Sequence, residues 1–152
     1  MTKHLLIIYH SQSGNTGQMA EAVLRGCQEE AEVETRLVRA FDAGLEDLRW
    51  ADGLLFGTPE NFGTMSGALK DFFDRTYYPA EPYQLNLPYA LFISAGNDGS
   101  GAVRDIDRIA KGYPLRKIGE PLIANGDISP QHLEQCNEFG QAMAAGISLG
   151  IF

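Results

Sequence analysis

Runs that are apolar at every position alternate along this chain with stretches that are apolar only at every third or fourth position. That alternation constrains the fold more than any other feature. "HLLIIY" (His4–Tyr9) reads as a buried strand bounded by turn residues. Asn15–Ala31 then reads as a helix, with Met19, Ala20, Val23, Leu24, Cys27 and Ala31 on one face. "VETRLV" (Val33–Val38) alternates and reads as a more exposed strand, and Gly44–Trp50 as a short helix. "GLLFG" (Gly53–Gly57) is the third strand, which Pro59 helps to end because it lacks a donor. Ser66–Thr76 is the next helix, with Leu69, Phe72, Phe73 and Thr76 inward. "YALFIS" (Tyr89–Ser94) is the fourth strand and Ala102–Tyr113 the following helix. "IGEPLIA" (Ile118–Ala124) is a weaker fifth strand, its Pro121 suggesting an edge. Ser129 and Pro130 suit the cap and first position of a last helix.

Strands that alternate with helices pair in parallel, with helices on both faces. At 152 residues the chain has the size of one domain, spanning 1–152. The expected architecture is α/β: a three-layer, doubly wound, five-stranded parallel sheet in the order 2-1-3-4-5. The two least apolar strands, second and fifth, then fall at the edges.

In such sheets ligands bind beyond the carboxyl ends of the strands, where the winding reverses. Three loops should meet there: "HSQSGNT" (His10–Thr16), "TPENFGTM" (Thr58–Met65) and "SAGNDGSG" (Ser94–Gly101). All are rich in Gly, Ser, Thr and Asn. The first leads into a helix start, whose free N–H groups and dipole favour an anion. Ser11, Ser13, Asn15 and Thr16 add side-chain donors, and Gly14 lets the backbone curl close. A capped helix with a tight turn would explain one of these residues, but not the succession.

Other phosphate loops fail on particular residues. A triphosphate loop needs a lysine, which is absent, and the dinucleotide fingerprint needs G-x-G-x-x-G, where only Gly14 and Gly17 stand. The nearest cysteine, Cys27, lies inside the helix, which excludes a cysteine phosphatase loop. Gly57-Thr58 ends the third strand where a phospho-acceptor domain would want Asp.

Net charge narrows the partners. At −8 with a pI near 4.8 and no Lys/Arg run, the chain is a poor nucleic-acid or anionic-membrane binder. It suits a partner with a basic docking patch, although many soluble proteins are simply acidic. The N-terminal apolar run is too short for a membrane span and lacks a signal-cleavage pattern, so the expectation is cytoplasmic. Cys27 and Cys136 have no metal-type spacing and read as buried free thiols.

"SQSGNT" after the first strand resembles the FMN-phosphate loop of flavodoxins, [ST]-x-[ST]-G-x-T. "WADGLLFGTPENFGTMSGALKDFFD" (Trp50–Asp74) resembles the strand, flavin loop and helix of flavodoxin-fold NAD(P)H:quinone oxidoreductases, with their G-T-P-x-x-F-G-x-M-S-G pattern. "SAGNDGSG" has the place of the third flavin loop, so the likeness runs through most of the chain. The resemblance implies a flavodoxin-like fold with FMN as cofactor. Ser11, Gln12, Ser13, Gly14, Asn15 and Thr16 would bind its phosphate. Thr58, Pro59, Glu60, Asn61, Phe62 and Gly63 would border the isoalloxazine, with Phe62 near one ring face. Ser94, Ala95, Gly96, Asn97, Asp98 and Gly99 would meet the pyrimidine edge. Glu60 and Asp98 are either charges that lower the flavin potential or solvated loop carboxylates.

The chain departs from the family in two ways. Its third loop lacks the second aromatic that sandwiches the ring in typical flavodoxins, which would leave one flavin face open. It also lacks the long insertions usual in the quinone reductases, so a substrate pocket would need a second subunit. Three readings follow: an FMN electron carrier between protein partners, an FMN-dependent NAD(P)H:quinone oxidoreductase, or a non-redox phosphate-ligand module. The redox partner is a protein or a small quinone-type acceptor, and the assembly a monomer or homodimer. Among the remaining residues, His10 reads as a partly exposed loop side chain, His4 and His132 as surface residues, and Trp50 as packed under the sheet. Tyr77 and Tyr78 should pack at the far end, and "GISLGIF" should finish the last helix and cover an edge.

Overall fold

A computed structural model describes residues 2–152. The chain forms β1 (Lys3–Tyr9), α1 (Asn15–Cys27), β2 (Val33–Arg39), α2 (Leu45–Trp50), β3 (Gly53–Asn61), β4 (Thr64–Met65) and α3 (Gly67–Ala80). β5 (Leu87–Ala95), α4 (Ser100–Ala110), β6 (Leu115–Lys117), β7 (Leu122–Asn125) and α5 (Pro130–Leu149) complete it. The central sheet runs β2-β1-β3-β5, with β6 and then β7 on the outer side of β5, and all its pairings are parallel. This is the doubly wound order expected, with the fifth strand divided in two. Gly119 at φ 67° and Pro121 interrupt the edge between β6 and β7. An edge strand tolerates the break because only one neighbour needs its donors.

Side-chain alternation sorts the core. Leu5 and Ile7 of β1, Leu55 of β3 and Phe92 of β5 face α1 and α5. Leu6, Ile8, Leu54, Phe56, Leu91 and Ile93 face the opposite layer, with Leu48, Leu69, Phe72 and Ile106. Successive strand residues point to opposite faces, so a run apolar at every position is what a sheet covered on both sides requires.

Caps set the helix bounds. Ser66 Oγ accepts from Leu69 N at the start of α3, and Ser129 Oγ accepts from His132 N at the start of α5. His132 is half-buried and returns the favour, its Nδ1 accepting from Ser129 N, so it serves as a capping partner and not as a free surface residue. α5 ends in a Schellman turn: Ile151 N donates to Gly146 O and Gly150 N to Ile147 O. That turn folds Phe152 over Gly146, while Leu149 and Ile151 stay exposed.

Three other expectations change. α1 stops a turn early, at Cys27. β3 does not end at Pro59 but runs on to Asn61. The β1 ladder has finished at Tyr9↔Gly57, so one side of Pro59 faces no strand and its missing donor leaves no gap. Trp50, half-buried, packs as expected against the core layer that holds Leu6 and Ile8, its ring sandwiched between His4 (ring centroids 4.3 Å apart) and the Arg36 guanidinium (3.8 Å). Tyr77 packs edge-on against Tyr113 as expected, but Tyr78 is exposed. Cys27 and Cys136 are buried free thiols. Burial pushes Cys27 up to about 12 and Cys136 up to about 11. Neither thiol should react with a disulfide reagent at pH 8 in the native protein, and both should react in denaturant.

Candidate functional site

At the carboxyl edge of the sheet an open cleft of about 280 Å³ lies between the ends of β1, β3, β5 and β7. Its walls are Ser13 and Asn15 from the first loop, Pro59, Glu60 and Asn61 from the second, and Ser94, Ala95 and Gly96 from the third. The three loops expected to converge do so. A fourth, after β7, adds Gly126 and Asp127, which sequence reasoning missed. Gly126 N donates to Ala95 O, and the Asn125 side-chain amide bonds Asn97 O, fastening this wall to the third loop. The available signal was the turn-like "ANGD" directly after the fifth strand.

The first wall is the open end of α1. Gly14 precedes the helix at φ 103°, a backbone conformation that favours glycine, and offers no side-chain cap. Ser11 Oγ accepts from Gly17 N (2.9 Å), and Gln18 N donates to Gly14 O. The N–H groups of Asn15 and Thr16 have no partner among the described residues. Ser11 therefore shapes the loop. Ser13 and Asn15 lie toward the cleft, while Gln12 is exposed. Thr16 is buried, and its hydroxyl shares a 2.7 Å hydrogen bond with Ser94 Oγ, tying α1 to β5. Thr16→Val should cost about 1–3 kcal/mol in chemical denaturation, because it strands a buried hydroxyl.

The second wall is a hairpin. Glu60 pairs with Met65 and Asn61 with Thr64, around a turn with Phe62 at φ 51° and Gly63 at φ 74°. Two successive positive φ values make this the tight turn that matches strand twist. Thr58 is buried below it: its Oγ1 accepts from Ser66 N and donates to Pro59 O, joining β3 to α3. Phe62 is fully exposed at the tip and lines the neighbouring groove instead of the cleft. That groove, about 560 Å³, lies between the hairpin, α3 and α4, and shares the lining residue Asn61 with the cleft.

The third wall is tied to α4. Asp98 Oδ1 accepts from Ser100 N and Oγ, and these bonds, the amide first, hold its carboxyl below the usual range. The stabilisation from a lowered carboxyl is present above the ordinary aspartate range and lost as pH falls through the lowered value. Gly99 is the N-cap at φ 74°, and Asn97 contributes its carbonyl to Asn125. Glu60, whose Oε2 accepts from Gly101 N and Ala102 N, and Asp98, which stays exposed, are both hydrogen-bonded loop carboxylates. His10, half-buried beside this edge, holds Gly57 O through its backbone N–H and rests edge-on against Phe41.

The donor set fits a flavin mononucleotide. One uncapped helix end with two free N–H groups and nearby Ser13 and Asn15 matches a single phosphate. The Pro59, Ala95 and Gly96 backbone offers flat, side-chain-poor surface for a planar ring, and a Cβ at Gly96 would meet nothing within 4 Å. Among the described residues no group of His, Cys, Asp and Glu is placed to hold a metal, and no helix is long and apolar enough to cross a membrane.

Comparison with known proteins points the same way. Residues 39–110 match the family model described as NADPH-dependent FMN reductase. A flavodoxin of Aquifex aeolicus is 44% identical over 70 residues, covering 46% of this chain and 38% of that one. The chain thus spans well under half the length of that relative. An NAD(P)H dehydrogenase (quinone) of Syntrophus aciditrophicus is 24% identical over 93% of this chain and 84% of its own. The solved structure of an archaeal flavodoxin superposes with a TM-score of 0.80 at 23% identity, covering 95% of this chain and 98% of that one. In its sheet order the chain has a flavodoxin-like fold, and in its loops it is similar to flavodoxins, NAD(P)H dehydrogenases (quinone) and the NADPH-dependent FMN reductase family.

Proposed function

We propose that the protein is a redox protein that binds FMN in the cleft and passes electrons through it. The open N-terminus of α1 beside Ser13 and Asn15 carries this reading, since it suits one phosphate held by neutral donors. The phosphate would rest on the Asn15 and Thr16 amides, and the ring between the hairpin and the Ser94–Gly99 loop. Bound there, the flavin supplies the electron-transfer chemistry, and the protein supplies orientation and electrostatics. An acidic surface, at net charge −8, favours a protein partner with a basic patch.

The second reading, direct reduction by NAD(P)H and transfer to a quinone, is favoured by one observation. The groove beside Phe62, lined by Met65 and Ile109, borders the cleft at Asn61 and is large enough for a small aromatic acceptor. Anaerobic mixing of the FMN-loaded protein with NADPH or NADH separates the two. A flavin that stays oxidised until a reductase protein is added supports the carrier. Rapid bleaching, followed by reoxidation with a soluble quinone, supports the enzyme. A protein that takes up no FMN contradicts both.

A further inference from the structure

Four long helices begin near the carboxyl edge of the sheet, and their first turns are not alike. Ser66 caps α3, and Ser129 with His132 caps α5. α1 is open. α4 is closed from two sides. Asp98 takes its first amide, at Ser100, and Val103 N turns back to Gly99 O. The two amides between are taken by a residue 41 and 42 positions earlier in the chain. Glu60 Oε2 accepts from Gly101 N at 2.9 Å and from Ala102 N at 3.3 Å. A second contact runs in parallel, with Thr64 Oγ1 donating to Asp105 Oδ2 at 2.6 Å. The Arg104 guanidinium first, and the Thr64 hydroxyl second, hold the Asp105 carboxyl below its usual range. The hairpin lies so close that a Cβ on Gly101 would overlap Gly63 O.

We propose that Glu60 is the positioning residue of the cleft. It fills the N-terminus of α4 with a carboxylate, moors the hairpin to that helix, and denies the helix end to any other anion. Two consequences follow from the geometry. The cleft keeps a single anion site, at α1. The ring end, which an open α4 would make favourable to negative charge, is instead faced by a carboxylate that lines the cleft. A ring that gains negative charge on reduction is then bound less tightly than the oxidised ring. The second consequence rests on the FMN reading; the mooring itself does not.

Glu60→Gln and Glu60→Ala separate the parts. Glutamine keeps an acceptor for the α4 amides and removes the charge, whereas alanine removes both. In the protein without flavin, the Gly101 and Ala102 amides should exchange with solvent slowly. Alanine should speed that exchange about tenfold or more, and glutamine should largely restore it. With FMN added, both variants should favour the reduced over the oxidised flavin by about tenfold relative to wild type, which is roughly 30 mV for a two-electron couple. Oxidised FMN should bind about tenfold more weakly to the alanine variant only. Unchanged amide exchange in Glu60→Ala overturns the mooring. A wild-type balance of oxidised and reduced affinity in Glu60→Gln overturns the electrostatic role. If wild type takes up no flavin, the functional reading fails while the amide exchange still decides the mooring.

Discussion

Replacing Ser13 by aspartate is expected to weaken FMN binding by about a hundredfold or more, a loss of about 2.7 kcal/mol, while changing riboflavin binding only a few-fold. The asymmetry follows from where Ser13 sits. It borders the cleft at the uncapped end of α1, where the Asn15 and Thr16 amides await an acceptor. An aspartate there supplies an internal anion to the same helix end and repels a phosphate. Two unit charges 4 Å apart near a protein surface interact by about 4 kcal/mol, and a phosphate near neutral pH carries more than one. Riboflavin has no phosphate and senses only the loop's shape. Flavin fluorescence titration of both ligands against wild type and Ser13→Asp reads the difference. Equal weakening of the two would place the phosphate elsewhere. Ser13 is the right probe because it is exposed, whereas Thr16 holds Ser94 and its loss would confuse binding with stability.

Gly140→Val is expected to lower stability by about 3 kcal/mol or more, read as a shift of about 6–12 °C in melting temperature. α1 and α5 cross at glycines on both sides. A Cβ on Gly140 would overlap Val23 O of α1, and one on Gly26 would overlap Asn137 O of α5. Backbone atoms cannot rotate away as a side-chain tip can, so the helices must separate. That separation would open the layer holding Met19, Val23, Cys27, Cys136 and Ala144. It also acts on the site, because α1 carries the phosphate-type loop on its first turn. Flavin affinity should therefore fall along with the melting temperature, although neither glycine touches the cleft.

The fold was legible because its two periodicities are clean. Three strands are apolar enough to be read directly, and the helix faces repeat at the spacing that buries one side. Local breaks were not legible. The split of the last strand depends on β5 accepting two short partners in turn, which no local pattern encodes. The run of β3 past Pro59 depends on its neighbour having ended. Around the cleft, sequence located the loops but not the roles within them. Thr16 and Thr58 look like ligand donors by type, yet both bond across elements and are buried. Glu60 and Asp98 look alike in a loop, yet one caps α4 from a distance of 41 positions and the other locally. Gly126 and Asp127 enter the cleft only because β7 lies beside β5.

Uptake of FMN by the purified protein tests the central claim most directly. Apoprotein dialysed against equal concentrations of FMN or riboflavin should retain FMN at one per chain, with a flavin absorbance band, and retain riboflavin about a hundredfold less tightly. A colourless protein after exposure to FMN, or equal retention of the two flavins, would contradict it.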